Sequence, residues 1–306
     1  MANLTNTGIS LSTTSKLSSG QKILIGAAMR AHEPAAPDPD LVSSARLPRG
    51  HKQYDLLTYA RLAVADALTE GVDYTTVQQL FANYMTVDPT EYGIIVSISK
   101  RAMDRQPEDL QRMAGEMQGI SIRARHAKRV ITLYDGFSKS VGGAGTTLDI
   151  THLRGSAAYL MTDNDTEFGP APMPYRYAAH AENISDIVAD ITQGSASSVT
   201  RTAASAQIPD GLPASLLKQW WRGSDRAYGI QVVQSGYIEK DSGDDVKGAI
   251  FPAGALFTVT EKENDRATEV DVSHRLTEYG MFRATGEAER ADPHGVEMLF
   301  DAAATV

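Results

Sequence analysis

The stretch "DPTEYGIIVSISKRAMDRQPEDLQRMAGEM", from Asp88 to Met117, changes its hydrophobic period halfway along. Ile94, Val96 and Ile98 alternate with Ile95, Ser97 and Ser99, the two-residue period of a strand. Asp88-Pro89 and Tyr92-Gly93 mark a turn or bulge before it. From Pro107 the period becomes that of a helix. Leu110, Met113, Ala114, Met117, Ile120, Ala124, Ala127, Val130, Ile131 and Tyr134 recur at three- and four-residue steps, which predicts one buried face. Pro107 suits a first helical position, where its missing N–H would have no partner in any case. Gly136 ends the run. A helix from Pro107 to Asp135 spans about 43 Å, well beyond the mean. Glu108, Asp109 and Glu116 lie near its start and Arg123, Arg125, Lys128 and Arg129 toward its end, as the helix dipole prefers. On this phasing Met117 is a core residue, and Met117→Asp prevents folding.

A strand joined to so long a helix sits in a chain of 306 residues, enough for a large core or two interleaved lobes. The first fifty residues read as an arm: Ser/Thr-rich sequence, a helical piece "LSSGQKILIGAAMRAHE", then "PAAPDPD", whose prolines cannot continue a helix. A mobile terminus and a strap folded onto another surface fit this arm equally well. "HKQYDLLTYARLAVADALTE", His51 to Glu70, is ambiguous, since its Ala and Leu favour helix while the alternation around Tyr54, Leu56 and Tyr59 suits a strand. Further on, "ENISDIVADIT" predicts a short amphipathic helix capped by Asn183 or Ser185, and "LPASLLKQWWRGSD" another. "YGIQVVQSGYIEK", "GAIFPAGALFTVTEK" and "GVEMLFDAAATV" are β-type, and "GSASSVTRTAASAQIPDG" reads as a flexible loop. The strands do not alternate with helices in βαβ order, so the class is α+β.

Chemistry is hard to find in this chain. It has no cysteine, which removes disulfides, thiolate metal sites and cysteine nucleophiles. "GGAGTT", Gly142 to Thr147, lacks the Lys-Ser/Thr ending of a phosphate loop and reads as a flexible linker. "HAE" (His180, Glu182) resembles a fragment of a zinc deaminase, but that site needs a Cys-x-x-Cys partner. His32, His51, His126, His152, His180, His274 and His294 are scattered singly and read as surface or loop residues. The run "RARHAKR", Arg123 to Arg129, reads as a solvated face near a helix end; the alternative is contact with nucleic acid or with a neighbour's acids. Of Trp220 and Trp221, about 100° apart on a helix, one belongs in the core and the other against a second lobe or subunit. The sequence therefore assigns no catalytic, cofactor-binding or metal-binding residue. No run approaches a membrane span, and the start lacks a signal peptide's basic and apolar regions, so neither membrane nor secretion is expected. A net charge of −9 disfavours affinity for bare nucleic acid.

The order of these parts resembles the major capsid proteins of tailed double-stranded DNA bacteriophages, the Hong Kong 97 fold. "ALTEGVD" (Ala67 to Asp73), "PTEYGIIVSISKRAMD" (Pro89 to Asp104) and the Pro107 to Asp135 helix carry the likeness. So do "YRYAAHAENISDIVADI" (Tyr175 to Ile191) and "YGMFRATGEAERADPHGVEMLFDA" (Tyr279 to Ala302). The resemblance implies an N-terminal arm over 1–50 and an extended β-hairpin loop over 51–100, with Tyr54 to Ala65 as strand. It implies a peripheral domain with the spine helix over 101–140, a mixed α/β axial domain over 141–250, and closing strands of both over 251–306. The implied function is not enzymatic: copies assemble as pentamers and hexamers into an icosahedral head around packaged double-stranded DNA, without sequence-specific binding. Portal, decoration and scaffolding proteins are implied partners. The short segment before the loop implies a separate scaffolding protein or none. Lys100 and Lys139 are present, but no isopeptide crosslink is assigned. The implied location is the virion, assembled in the host bacterial cytoplasm. The alternatives are an encapsulin-type nanocompartment shell around enzyme cargo and, from another class, a metal-independent hydrolase.

Overall fold

The computed structural model describes residues 36–62, 82–105, 110–162, 168–193 and 230–303, with the single positions 65, 67 and 70. The helical piece of the arm, Pro107, Trp220, Trp221 and the Ser/Ala-rich loop lie outside these residues.

The first described elements are a short helix α1 (Asp38–Leu41) and strand β1 (Ser43–Arg46), then β2 (Tyr54–Tyr59), β3 (Ala82–Val87) and β4 (Thr90–Ser99). Helices α2 (Lys100–Arg105) and α3 (Leu110–Thr132) follow, and a 3-10 turn (Leu133–Gly136) ends α3 at the predicted glycine. Next come β5 (Ser140–Thr147), α4 (Ile150–Thr162), β6 (Tyr175–Ala179), α5 (Ala181–Gln193) and β7 (Ile230–Gln234). The chain closes with β8 (Asp245–Pro252), β9 (Leu256–Asp271), β10 (Leu276–Glu289), a 3-10 turn (Asp292–His294) and β11 (Val296–Asp301). Among the described residues the strands form three sheets: β1-β9-β10-β4, β5-β11-β8-β6-β7, and the pair β2-β3.

Helix α3 spans both larger sheets. Its first half covers β4 and β10, where Ala114 meets Ile98 and Ala102. The Gln118 amide donates there to the carbonyls of Ile94 (3.3 Å) and Tyr279 (2.6 Å), one from each of two paired strands. Its last turns bury Val130 and Tyr134 against Ala249 and Phe251 of β8, on one face of the five-stranded sheet. Tyr134 and Phe137 flank the Phe251 ring at 5.5 and 6.2 Å. The opposite face of that sheet is covered by α4 and α5, through Leu153, Leu160, Ile184 and Ile187.

Several expectations change. The buried stripe of α3 runs through Ala114, Gln118, Ile122, His126, Ala127, Val130 and Tyr134, whereas Met117 is 57% exposed and Ile120 is also exposed. Hydrophobicity misplaced the phase because two polar residues occupy core positions, Gln118 bonded to β4 and β10 and His126 3.4 Å from Glu287. Met117→Asp would therefore place its carboxylate in solvent and does not block folding. "GGAGTT" is part of strand β5, paired in parallel with β11, rather than a linker. Gly142, at φ +99°, lies so close to β11 that a Cβ would sit 2.2 Å from the Leu299 carbonyl oxygen. His180 precedes α5 and its Nδ1 accepts the Glu182 N–H at 3.2 Å, so neither Asn183 nor Ser185 stands at the cap.

The strand Ile94–Ile98 does not return along the hairpin either. β4 pairs with β10 from Thr90 to Ser99, while β3 pairs with β2 in the register Tyr54↔Val87 to Tyr59↔Ala82. Asp88-Pro89 is the break between the two pairings. Tyr54–Tyr59 is strand despite its helical propensity, and Ala60–Leu62 has no regular structure. Part of the arm is seated on its own chain: β1 pairs in parallel with β9, and Asp38 is fully buried.

Unfolding by denaturant checks the corrected phase. Ile122→Ala should cost about 2–5 kcal/mol and Met117→Ala less than about 0.5 kcal/mol. The reverse order would restore the phasing drawn from hydrophobicity.

Candidate functional site

The β2–β3 hairpin is apolar on both faces, and the described residues cover only one of them. Tyr54, Leu56 and Thr58 alternate with Asp55, Leu57 and Tyr59, so the first set faces one way and the second the other. Leu56 and Val87 are buried with Leu47, Phe257 and Val259, and Tyr54 stacks on Phe257 at 5.9 Å between centroids. This fixes the base of the hairpin to β1 and β9. On the other face Leu57 and Tyr84 are a cross-strand pair beside Tyr59. Tyr84 is 76% exposed and Tyr59 55%, and Leu57 and Leu62 are exposed as well. On this outward face Thr86 donates to Asp55 at 2.8 Å, which ties the strands beside the apolar patch. Two large tyrosines and a leucine in register on one open face have no shelter from their own chain among the described residues.

Charged side chains hold the body behind this hairpin. Every described member of the basic run except Arg125 and Ala124 is engaged with its own chain or buried. Arg123 reaches the Ala36 carbonyl (3.1 Å) and Asp40 (2.5 Å), Lys128 reaches Glu239 (2.5 Å), and Arg129 reaches Glu287 (2.6 Å) and lies over the Tyr92 ring. Reading the run as a solvated face thus misses its acids, which come from sequence-distant segments. Glu287 is 3% exposed, accepts from Thr285 (2.5 Å) and lies 3.4 Å from His126. Burial, then Arg283, Arg129 and Arg123, lower His126 to about 4, so the imidazole is neutral near pH 7. Asp38 accepts from Tyr134 (2.9 Å) and Ser235 (2.7 Å). Burial raises its pKa, against those two bonds, and also raises Tyr134 well above the ordinary tyrosine range.

The remaining candidates do not converge. His152 sits 2.8 Å from Asp149 at the start of α4, and His274 pairs with Asp271 (2.6 Å) at the tip joining β9 to β10. His294 bonds the Gly169 carbonyl (3.1 Å), and His51 is exposed. His32 lies outside the described residues. Among the described residues no three of His, Asp or Glu gather as a metal site, and no helix is long and apolar enough to cross a membrane. An open cleft of about 460 Å³ beside the end of α3 is lined by alternating acids and bases such as Lys128, Glu239, Lys247 and Asp135. Lys247 there bonds Asp135 and lies 3.5 Å from Glu297. Its charges neutralise one another and present no converging donors for a ligand.

Sequence reasoning passed over Leu57, Tyr84, Asp38 and Glu287. A signal was available for the first two, because "YDLLTY" and "ANYMTV" each place apolar residues at both strand parities, which is how a strand buried on both faces reads.

The backbone as a whole is similar to solved head structures of phages. A chain in a structure from Mycobacterium phage Che8 aligns with a TM-score of 0.63 at 13% identity, covering 90% of this chain and 95% of that one. The capsid structure of cyanophage P-SCSP1u gives 0.62 at 14% identity, covering 89% and 90%. The head structure of Helicobacter pylori bacteriophage KHP40 gives 0.66 at 10% identity, covering 90% and 93%. No protein-family model and no curated protein matches the sequence. The chain therefore has the Hong Kong 97-type capsid fold, and its α+β class and long central helix are those of that fold.

Glu287→Ala would strand Arg129 in a half-buried site, and loss of a buried pair's partner costs about 3–5 kcal/mol. Thermal melts should fall accordingly, whereas Arg112→Ala, which breaks the exposed pair with Glu116, should leave them within about 1 kcal/mol of wild type.

Proposed function

We propose that this protein is a major capsid protein, a subunit whose copies assemble into an icosahedral head enclosing double-stranded DNA. The carrying observation is the uncovered face of Leu57, Tyr59 and Tyr84, projected on a hairpin whose other face is fixed to the body. Burying a side chain of this size contributes about 1.5–3 kcal/mol. A neighbouring copy lying beneath the hairpin would gain this at every contact, and a closed shell repeats the contact around pentamers and hexamers. The shared fold supports the same reading, since it extends over nine-tenths of the chain.

The parts take roles on this proposal. Residues 51–100 supply the reach, although Thr90–Ser99 belongs to the four-stranded sheet, and 101–140 supply the spine. Residues 141–250 form the axial region around the symmetry centres, with 251–306 closing both. The arm, 1–50, divides into a seated part from Asp38 and a part before it. The net charge of −9 suits a lining that encloses DNA without gripping it. Portal, scaffolding and decoration proteins would be partners in a virion built within the host cytoplasm.

The double variant Leu57→Asp/Tyr84→Asp tests the proposal. Its melting temperature should stay within a few degrees of wild type, because both side chains are exposed in the subunit. Electron microscopy and size-exclusion chromatography should show shell-sized particles for wild type and only free subunits or capsomers for the variant. Normal closed shells from the variant would overturn the reading, as would a wild-type chain that stays monomeric while its hairpin is protected from protease. Purified wild-type shells filled with an enzyme rather than DNA would transfer the protein to the nanocompartment alternative.

A further inference from the structure

A polar seam joins α3 to β10 and β4, built around the buried Glu287 carboxylate. We propose that His126 is an acid-sensitive fastener in this seam. Neutral, it is a buried spacer between α3 and β10 and leaves Glu287 to Arg129. Protonated, it is one cation too many for the seam, and α3 loosens from the four-stranded sheet. The inference rests on the fold alone and is independent of the capsid reading.

Side chains from three elements close the seam. Arg129 of α3 pairs with Glu287 of β10 at 2.6 Å and lies over the ring of Tyr92 from β4. Thr285 donates to Glu287 at 2.5 Å, and its hydroxyl is 3.2 Å from that of Tyr92. The carboxylate thus already has a cation and a donor. His126, about one turn before Arg129, brings Nε2 to 3.4 Å from the same carboxylate, longer than an ordinary N–H···O bond. Among the described residues neither ring nitrogen has a hydrogen-bond partner, and the residue is only 3% exposed. Such a ring is tolerated as a neutral, nearly apolar group. A cation there would be buried without a partner of its own, which is far more costly.

The surrounding charges oppose a further cation. Arg283, Thr285 and Glu287 hold alternate positions of β10 and share the face turned to α3. Nε of Arg283 is itself buried without a hydrogen bond among the described residues. From α3, Arg129 and Arg123 act on the ring, and from α1 Asp40, which Arg123 holds at 2.5 Å. Tyr92, on β4, stays neutral because burial raises it. Three guanidinium groups therefore stand against two carboxylates that are both paired already.

Burial, then Arg283, Arg129 and Arg123, set the direction, from the ordinary 6.5 down to about 4. The fold favours the unprotonated ring. Its contribution to stability is complete above 6.5, declines as pH falls below that value and is lost through about 4. At pH 5 an opened seam takes up the proton and a closed one does not, so opening gains. The far end of α3 is held instead by Tyr134 and Phe137 against Phe251 of β8, an aromatic contact without a titration in this window.

Hydrogen exchange of the full-length chain, corrected for the intrinsic effect of pH, reads the seam against β8. Peptides covering 118–130 and 281–288 should exchange about tenfold faster at about pH 5 than at about pH 7 in wild type, relative to peptides covering 245–252. His126→Gln cannot take up the charge and should show no such step. If that variant does not fold, His126→Phe keeps a flat buried ring and should likewise abolish it. Equal protection at both values in wild type would overturn the proposal. So would greater protection at pH 5, from a new imidazolium bond to Glu287, or a step that persists in the folded variant.

Discussion

The fold depends on the contact between the end of α3 and the five-stranded sheet. Tyr134, Phe137 and Phe251 pack there with Val130, Ala249 and Leu256, all nearly or wholly inaccessible to solvent. The Tyr134 hydroxyl cannot reach water, and Asp38 supplies its acceptor. That bond draws α1 and the start of β1 into the same core, and Ser235 ties the end of β7 to the same carboxylate. Helix α3 thereby becomes a beam with both ends fastened, one on each sheet. At about 35 Å for its regular part it crosses most of the distance a small domain spans.

A beam so fastened allows the hairpin to be thin. An isolated two-stranded ribbon is marginal in water, and ordering its backbone costs about 1–2 kcal/mol per residue. The base is held because Leu56 and Val87 enter a core already built by β1 and β9. On the other face Leu57, Tyr59 and Tyr84 are covered by no other described residue of the chain. Among the described residues the body is thus well packed and the outward face of the hairpin exposed.

How much of this was legible depended on whether local pattern and tertiary demand agreed. The switch from strand to helix between Ile98 and Leu110 was legible because both periods are strong, and so was the amphipathic α5. The phase of α3 was not, because Gln118 and His126 hold buried positions for reasons that lie on other strands. "GGAGTT" looked flexible because glycine usually signals a loop, yet Gly142 is where β5 must approach β11 most closely. The basic run looked solvated because Asp40, Glu239 and Glu287 are far away in sequence. The Tyr54–Tyr59 segment was undecidable locally and was settled by the strand it pairs with.

Strand pairing across the length of the chain also bears on how it is made. β1 pairs with β9, Ser43 bonds the carbonyl of Ala253, and β4 pairs throughout with β10. Contacts between such distant residues form slowly, and on a ribosome they cannot form until the later partner has emerged. The pocket that receives Leu56 and Val87 is made partly of Phe257 and Val259, so the hairpin has no seat until translation has passed them. An interrupted nascent chain therefore has no fixed hairpin base. Topology alone discriminates finished molecules from fragments.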